Sequence, residues 1–407
     1  MKLPKATELD SDQQSILDAP LTSNLFVSGP PGCGKTVIAL YRALAAKNSN
    51  QQCQMIMYTN VLTRYTSGGE GQAIPTSTMN SWLTKWWKSG KMGVVPKLES
   101  TPNSPYKKPD FQTMQVYMFK ERVISSAMNW GHLVIDEGQD FPPIFYNLLN
   151  TVTHRLTEQD EEPPVMTILA DENQRITTEN STLEDIRNAL KYSNPSHRKL
   201  HKNYRNTKRI AQFTNHFSVG LETGTGSPVS TRDGEMPRIV TTNKLNDSVQ
   251  RIVRYANNHP DHQIGIFVIT QKLCKSLYNR LEPKLGGRVQ ASLGGGWRVE
   301  DKFKPENLDF DSGDKITILC FASIKGLEFD AVFLPELHHL NPDMGSEDEF
   351  KMKMFVACSR AREFLELHYQ HDDPKTQSAS RWLPSRESGI AQWDSGESPG
   401  SSKTRQF

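Results

Sequence analysis

The chain has no run of 18 consecutive apolar residues, and its first ten, MKLPKATELD, lack the apolar stretch of a secretion signal. These absences argue against a membrane span and an export leader, and predict a cytoplasmic protein. Cysteine is scarce: Cys33, Cys53, Cys274, Cys320 and Cys358 are scattered, odd in number and form no C-x-x-C pair. That argues against a disulfide frame and a cysteine zinc site, and suits a reducing compartment. Charge of one sign is also lacking, since the net charge is only +2. Any nucleic-acid contact must therefore be a local patch rather than a global basic field. At 407 residues, the chain has room for two or three domains.

What is present begins with Ser28-Gly29-Pro30-Pro31-Gly32-Cys33-Gly34-Lys35-Thr36, a G-x-x-x-x-G-K-T stretch. An apolar run, residues 24–27, precedes it as a buried strand would, and a helical pattern, residues 37–46, follows. Gly29, Gly32 and Gly34 let backbone N–H groups turn inward around phosphate oxygens at a helix N-terminus. Lys35 can reach the outer phosphates and the Thr36 hydroxyl can ligate Mg²⁺. Upstream, Gln13 stands 16 residues before Gly29. A glutamine amide pairs with adenine N7 and N6, so Gln13, or Gln14 in its place, can select ATP.

A second anchor is His132-Leu133-Val134-Ile135-Asp136-Glu137-Gly138-Gln139-Asp140, an apolar strand ending in two carboxylates. Asp136 is placed to hold Mg²⁺ through water and Glu137 to orient and deprotonate an attacking water. With the phosphate loop, this pair favours a hydrolase over a passive binder or a kinase. Residues 164–175 repeat the logic, and Gln174 could sense the γ-phosphate or be a turn residue. Residues 54–59 read as another strand, with Thr59 and Asn60 at its carboxyl end.

An insertion of about 62–128, mostly helical, interrupts the first domain. Between Trp82 and Arg122 it holds eight Lys/Arg against three Asp/Glu, interleaved with aromatic residues. That composition suits a single-stranded nucleic-acid groove. The i, i+4 spacing of Trp82 and Trp86 on a helix more often marks a core face than a stacking platform. In the second half, strand and helix patterns alternate again, marking a second parallel α/β unit. Residues 285–314 read as a loop region, and residues 364–367 as the strand that closes the sheet. The domains expected are 1–199 and 200–371, with 372–407 a largely disordered tail. His338-His339 and His368/His371-Asp372-Asp373 show no third ligand at characteristic spacing, so no metal is expected there.

Taken in order, GPPGCGKT, DEGQD, NYR, ASIKGLEFD and VACSRAR resemble superfamily 1 helicases of the UvrD/Rep/PcrA type. The resemblance runs from about Leu9 to Leu367 as short motifs with dissimilar spacers. It implies two RecA-like domains in tandem with ATP and Mg²⁺ bound between them, and 3′-to-5′ movement on single-stranded DNA, with RNA not excluded. It implies that Gln13 reads adenine, Tyr204 stacks on it, and Arg205 and Arg360 reach the γ-phosphate. Gly326 lies in the motif whose Glu328 would contact the ribose, and Ser323, Thr59, Asn60, Thr78 and Asn80 fall in DNA-touching motifs. The departures are specific. Arg175-Ile176-Thr177-Thr178 follows Gln174 where the family has base-stacking aromatics, and Ala322 replaces a histidine. Only 109 residues, Asn206 to Asp314, separate the flanking motifs, so the family's large accessory domain is missing. A short motor of this kind could instead be a nucleotide-switched subunit beside a separate effector such as a nuclease.

Overall fold

A computed structural model describes residues 5–57, 74–99, 107–120, 124–171, 174, 180–191, 193–219, 229–293, 299–340, 347–370 and 381–394. The chain divides into two compact units, Met1–Lys202 with Gly220–Pro228, and Asn203–Val219 with Val229–Phe407. Each is built on its own parallel sheet.

In the first unit, the strands are β1 (Leu25–Ser28), β2 (Cys53–Met57), β3 (Thr76–Thr78), β4 (His132–Ile135), β5 (Val165–Ala170) and β6 (Ser196–Lys199). Their order across the sheet is β3-β2-β4-β5-β1-β6, with every pair parallel. β1 and β4 are buried along their whole length. A strand covered on both faces needs apolar residues at successive positions rather than alternate ones, so these strands read as unbroken apolar runs. The helices are α1 (Ser11–Leu17), α2 (Lys35–Asn48), α3 (Met79–Ser89), α4 (Phe111–Lys120), α5 (Pro143–Glu158) and α6 (Leu183–Ala189). Asp10 caps α1, and Gln13 completes the capping box from the third helical position.

Of the two readings of the tryptophans, the core face is the one the fold adopts, and they form no base-stacking groove. Trp82, Trp86 and Trp87 of α3 are at most 5 % exposed and belong to the hydrophobic core with Trp130, Met128 and Phe145. Trp82 and Trp86 stack with ring centroids 5.0 Å apart, and the Trp86 indole N–H donates to Met128 O at 2.8 Å. The insertion's start also differs from a simple excursion, because β3 forms the sheet edge against β2. Tyr117 and Phe119 of α4 remain on the surface.

Arg42 of α2 is fully buried, and its guanidinium donates to Ile16 O at 3.2 Å, Ala19 O at 2.6 Å and Pro20 O at 3.2 Å. It therefore ties the end of α1 and the turn that follows it to α2. His132 is also buried, with Nε2 2.8 Å from Thr167 Oγ1. Burial, reinforced by Arg42, lowers its imidazole to about 4. The fold thus refuses a proton that the unfolded chain accepts below its ordinary value. Stability present above pH 6.5 is lost as pH falls toward 4, by up to about 3 kcal/mol from this group. Denaturant titrations between those pH values should show a shallower loss for His132→Gln than for wild type.

In the second unit, the sheet order is β11-β12-β10-β13-β14-β9-β15, again all parallel. Its strands are β9 (Arg238–Thr242), β10 (Ile264–Val268), β11 (Val289–Ser292), β12 (Ile316–Cys320), β13 (Phe329–Leu334), β14 (Ala361–Gln370) and β15 (Gln392–Asp394). A ribbon of β7 (Lys202–Thr207) and β8 (Val229–Arg232) adjoins it, with helices α7 (Lys208–Asn215), α8 (Leu245–Asn258), α9 (Gln271–Leu285) and α10 (Glu347–Cys358). Two edges differ from expectation. β11 lies inside the glycine-rich stretch read as loop, and β15 pairs with β9 from within the stretch read as tail. β14 accordingly lies inside the sheet rather than closing it.

Candidate nucleotide site

Parallel strands in one sheet present their carboxyl ends to the same edge, and loops there converge. Ser28 of β1 is in register with Ala170 of β5, so Gly29 and Asp171 leave the sheet side by side. β4 adjoins β5 and delivers Asp136 and Glu137 to the same edge.

The loop after β1 turns through Gly32 (φ 75°) and Gly34 (φ 88°) into α2. A Cβ at Gly34 would meet the left-handed penalty and lie 2.7 Å from Gln13 Nε2. A Cβ at Gly29 would lie 2.6 Å from Cys33 Sγ and 2.8 Å from Leu200 Cβ. The loop's path therefore requires glycine at both positions. Gln13 is buried beside it, its Nε2 donating to Cys33 O at 3.0 Å and its Oε1 accepting from Asp10 N at 3.1 Å. Both ends of the amide assigned to adenine are here holding the loop to α1. Gln14 is turned to the surface, where it donates to Asp18.

Lys35 is buried at the start of α2, with Nζ donating to Gly29 O at 2.7 Å and Pro30 O at 3.0 Å. It also lies 3.6 Å from Asp171 Oδ2. Burial lowers its pKa, but the acidic neighbours, Cys33 first and then Asp171, Glu137 and Asp136, raise it by more. The ammonium stays charged. The Thr36 hydroxyl donates to Asp136 Oδ2 at 2.7 Å. Two oxygens on neighbouring corners of a Mg²⁺ octahedron stand about 2.9 Å apart, so this pair fits the ion. Burial, with Glu137 alongside, raises Asp136 to about 7. A divalent cation would offset the crowding that raises it.

Glu137 takes a left-handed backbone (φ 52°), an unusual state for a residue with a Cβ. Its carboxylate accepts from Gln139 Nε2 at 2.7 Å. Gln139 Oε1 accepts from Asp171 N at 2.8 Å, and Asp171 Oδ2 accepts from Gln174 Nε2 at 2.7 Å. One buried chain of polar groups thus runs from Glu137 through Gln139 and Asp171 to Gln174 and Lys35. Gln139 and Asp171 were not singled out from sequence. The available signal was position, since each stands just beyond an apolar strand beside a residue that was.

In the second unit, Arg205 Nε donates to Glu328 Oε2 at 2.9 Å, while Arg362 holds Oε1 and reaches Asp330 at 3.2 Å. Burial raises Glu328, and the two guanidinium groups outweigh it, leaving the carboxyl at about 2. The carboxylate assigned to ribose is here the hub of an arginine pair, and Arg362 is the partner that sequence reading passed over. Arg360, by contrast, is 1 % exposed and donates to Val356 O, Leu327 O and Ser359 Oγ. Tyr204 is 39 % exposed, and Gly326 is left-handed at φ 72°. Ser323 is half-buried beyond β12. Thr78 caps α3 by accepting from Ser81 N, and Asn80 is exposed next to it. Thr59 and Asn60 lie outside the described residues. No helix among the described residues is long and apolar enough to cross a membrane.

No family profile matches the chain, and no curated protein does. Among solved structures, it is similar to the C-terminal domain of a possible DNA helicase from Lactobacillus plantarum WCFS1. The TM-score is 0.32 and the identity 20 %, over 47 % of this chain and 98 % of that one. A likeness that loose does not bear on activity; the residues of the site do.

Proposed function

We propose that the chain is an ATP hydrolase of the UvrD-like superfamily 1 type, using Mg²⁺-ATP to move on or remodel single-stranded DNA. The supporting observation is the convergence of Lys35, Thr36, Asp136, Glu137, Gln139, Asp171 and Gln174 at one sheet edge, joined by hydrogen bonds of 2.7–2.8 Å and the 3.6 Å Lys35–Asp171 contact. Phosphoryl transfer asks for a cation near the outer phosphates, oxygen ligands for a metal and a base for water. Lys35 supplies the first, Thr36 and Asp136 the second and Glu137 the third. Bound Mg²⁺ would supply charge neutralisation on the phosphates. Lys35 would exchange its loop carbonyls for phosphate oxygens. Gln139 and Asp171 act as positioning residues, keeping Glu137, Gln174 and Lys35 in one network. Arg205 is the second unit's candidate for positive charge on the γ-phosphate, because its guanidinium is less buried than that of Arg360.

The nucleic-acid part of this reading rests on Thr78, which ends β3, and on Asn80 and Ser323, which stand beyond β3 and β12, at carboxyl sheet edges. Its test is ATP turnover with and without single-stranded DNA, at two salt concentrations, with RNA in parallel. We expect stimulation of about tenfold or more by DNA, falling steeply as salt rises because phosphate contacts release counterions. Turnover indifferent to either nucleic acid would favour the nucleotide-switched subunit working beside a separate effector. Absence of Mg²⁺-dependent turnover would overturn the hydrolase reading itself.

A further inference from the structure

We propose that Glu336, His338 and His339, at the turn after β13, form a binding site for a divalent ion of the Zn²⁺ class. The sequence shows only adjacent histidines; the third ligand appears because Glu336 takes a left-handed backbone, φ 57° and ψ 40°. That turn folds its carboxylate back over the short 3₁₀ helix Leu337–His339. One ligand atom from each residue lies within 4.8 Å of the others. His338 Nε2 stands 3.5 Å and His339 Nε2 3.8 Å from the same oxygen, Glu336 Oε2.

Those separations are long for hydrogen bonds between the atoms concerned. They are close to the edge of a tetrahedron around Zn²⁺, where bonds of about 2.0–2.1 Å put ligand atoms about 3.4 Å apart. A contraction of a few tenths of an ångström brings both histidine–carboxylate edges to that length, and the two imidazole ligand atoms, within 4.8 Å of each other, close on the ion as it binds. The carboxylate is already oriented from outside the triad: Gln370 Nε2, at the end of β14, donates to Glu336 Oε1 at 3.1 Å and Oε2 at 2.9 Å. Such support is what a ligating carboxylate needs to hold its angle.

Two imidazoles and one carboxylate favour Zn²⁺ over Mg²⁺ or Ca²⁺, which take oxygen donors. Glu336 and His338 are buried, while His339 is 45 % exposed and gives the ion a route in. Three protein ligands leave a fourth position for water, the ligand count of zinc sites that exchange a ligand rather than of closed structural sites. The nucleotide site uses none of these residues, and the metal proposed there is Mg²⁺ on Thr36 and Asp136.

The experiment is titration of the full chain, freed of any histidine tag, with Zn²⁺ by calorimetry and with Co²⁺ by visible absorption. Wild type should bind one equivalent and show the intense d–d bands of four-coordinate Co²⁺ without thiolate charge-transfer bands. His339→Ala removes the exposed ligand and should weaken binding about 100-fold or more. Gln370→Leu should weaken it about 10-fold or more, as outer-shell losses do. His339→Gln carries the same test if the alanine variant fails to fold by circular dichroism. Absence of one-equivalent binding, thiolate bands in wild type, or wild-type affinity in the His339 variants would each overturn the site.

Discussion

Glu137→Gln is expected to leave ATP binding within a few-fold of wild type while slowing hydrolysis by about 10³-fold or more. The carboxylate is 4 % exposed and fixed at its tip by the Gln139 amide at 2.7 Å. A glutamine there is nearly isosteric, and its carbonyl oxygen still accepts that bond, so the loop keeps its shape. What it loses is the capacity to take a proton from an attacking water. Lys35→Ala gives a different signature. The ammonium's Coulombic attraction acts on the bound nucleotide as well as on the transition state, so both affinity and turnover should fall. Phosphate release measured beside binding of a fluorescent nucleotide separates the two. Unimpaired turnover in Glu137→Gln would remove that residue from the chemistry, and equal loss of binding in both variants would mean that the loop, not the base, had been damaged.

The nucleotide residues were legible because they follow strands whose burial on both faces makes them unbroken apolar runs, as in Leu133-Val134-Ile135. Local sequence then reports what stands at each strand's end. It does not report which side of a helix meets a core. Trp82 and Trp86 carry the same spacing whether they stack on bases or pack edge-to-face against Trp130 and Phe145, and only the sheet's position decides for the latter. Edge strands were hidden for a related reason. β3 and β15 have three residues each and no fully buried stretch, so they leave little hydrophobic signal. Glu336 was missed because its meeting with His338 and His339 depends on one backbone angle. Gln139 and Asp171 lay inside quoted motifs, but their pairing joins two strands across 32 residues of chain.

Arg360→Ala is expected to destabilise the second unit by about 3–5 kcal/mol, and to lose activity through that route. The guanidinium is 1 % exposed and spans Val356 O at 2.9 Å, Ser359 Oγ at 2.9 Å and Leu327 O at 3.4 Å. Val356 belongs to the last turn of α10, whose final carbonyls have no helical donors of their own. Arg360 therefore does for α10 what Arg42 does for α1. Truncation removes all three bonds, although the Ser359 hydroxyl stays on Val356 O at 2.8 Å, and opens a void the size of a long side chain. Arg360→Lys should rescue little, because a single ammonium cannot span three acceptors that a planar fork reaches. Arg205→Ala is the contrasting variant. Its side chain is 13 % exposed and its main partner is Glu328, so it should fold with a smaller penalty and show its effect in turnover at saturating ATP. Calorimetry of both variants beside their ATPase rates tests this assignment. If Arg360→Ala melts as wild type does, binds ATP normally and still turns over slowly, then the buried arginine is a phosphate ligand after all and the capping role is wrong.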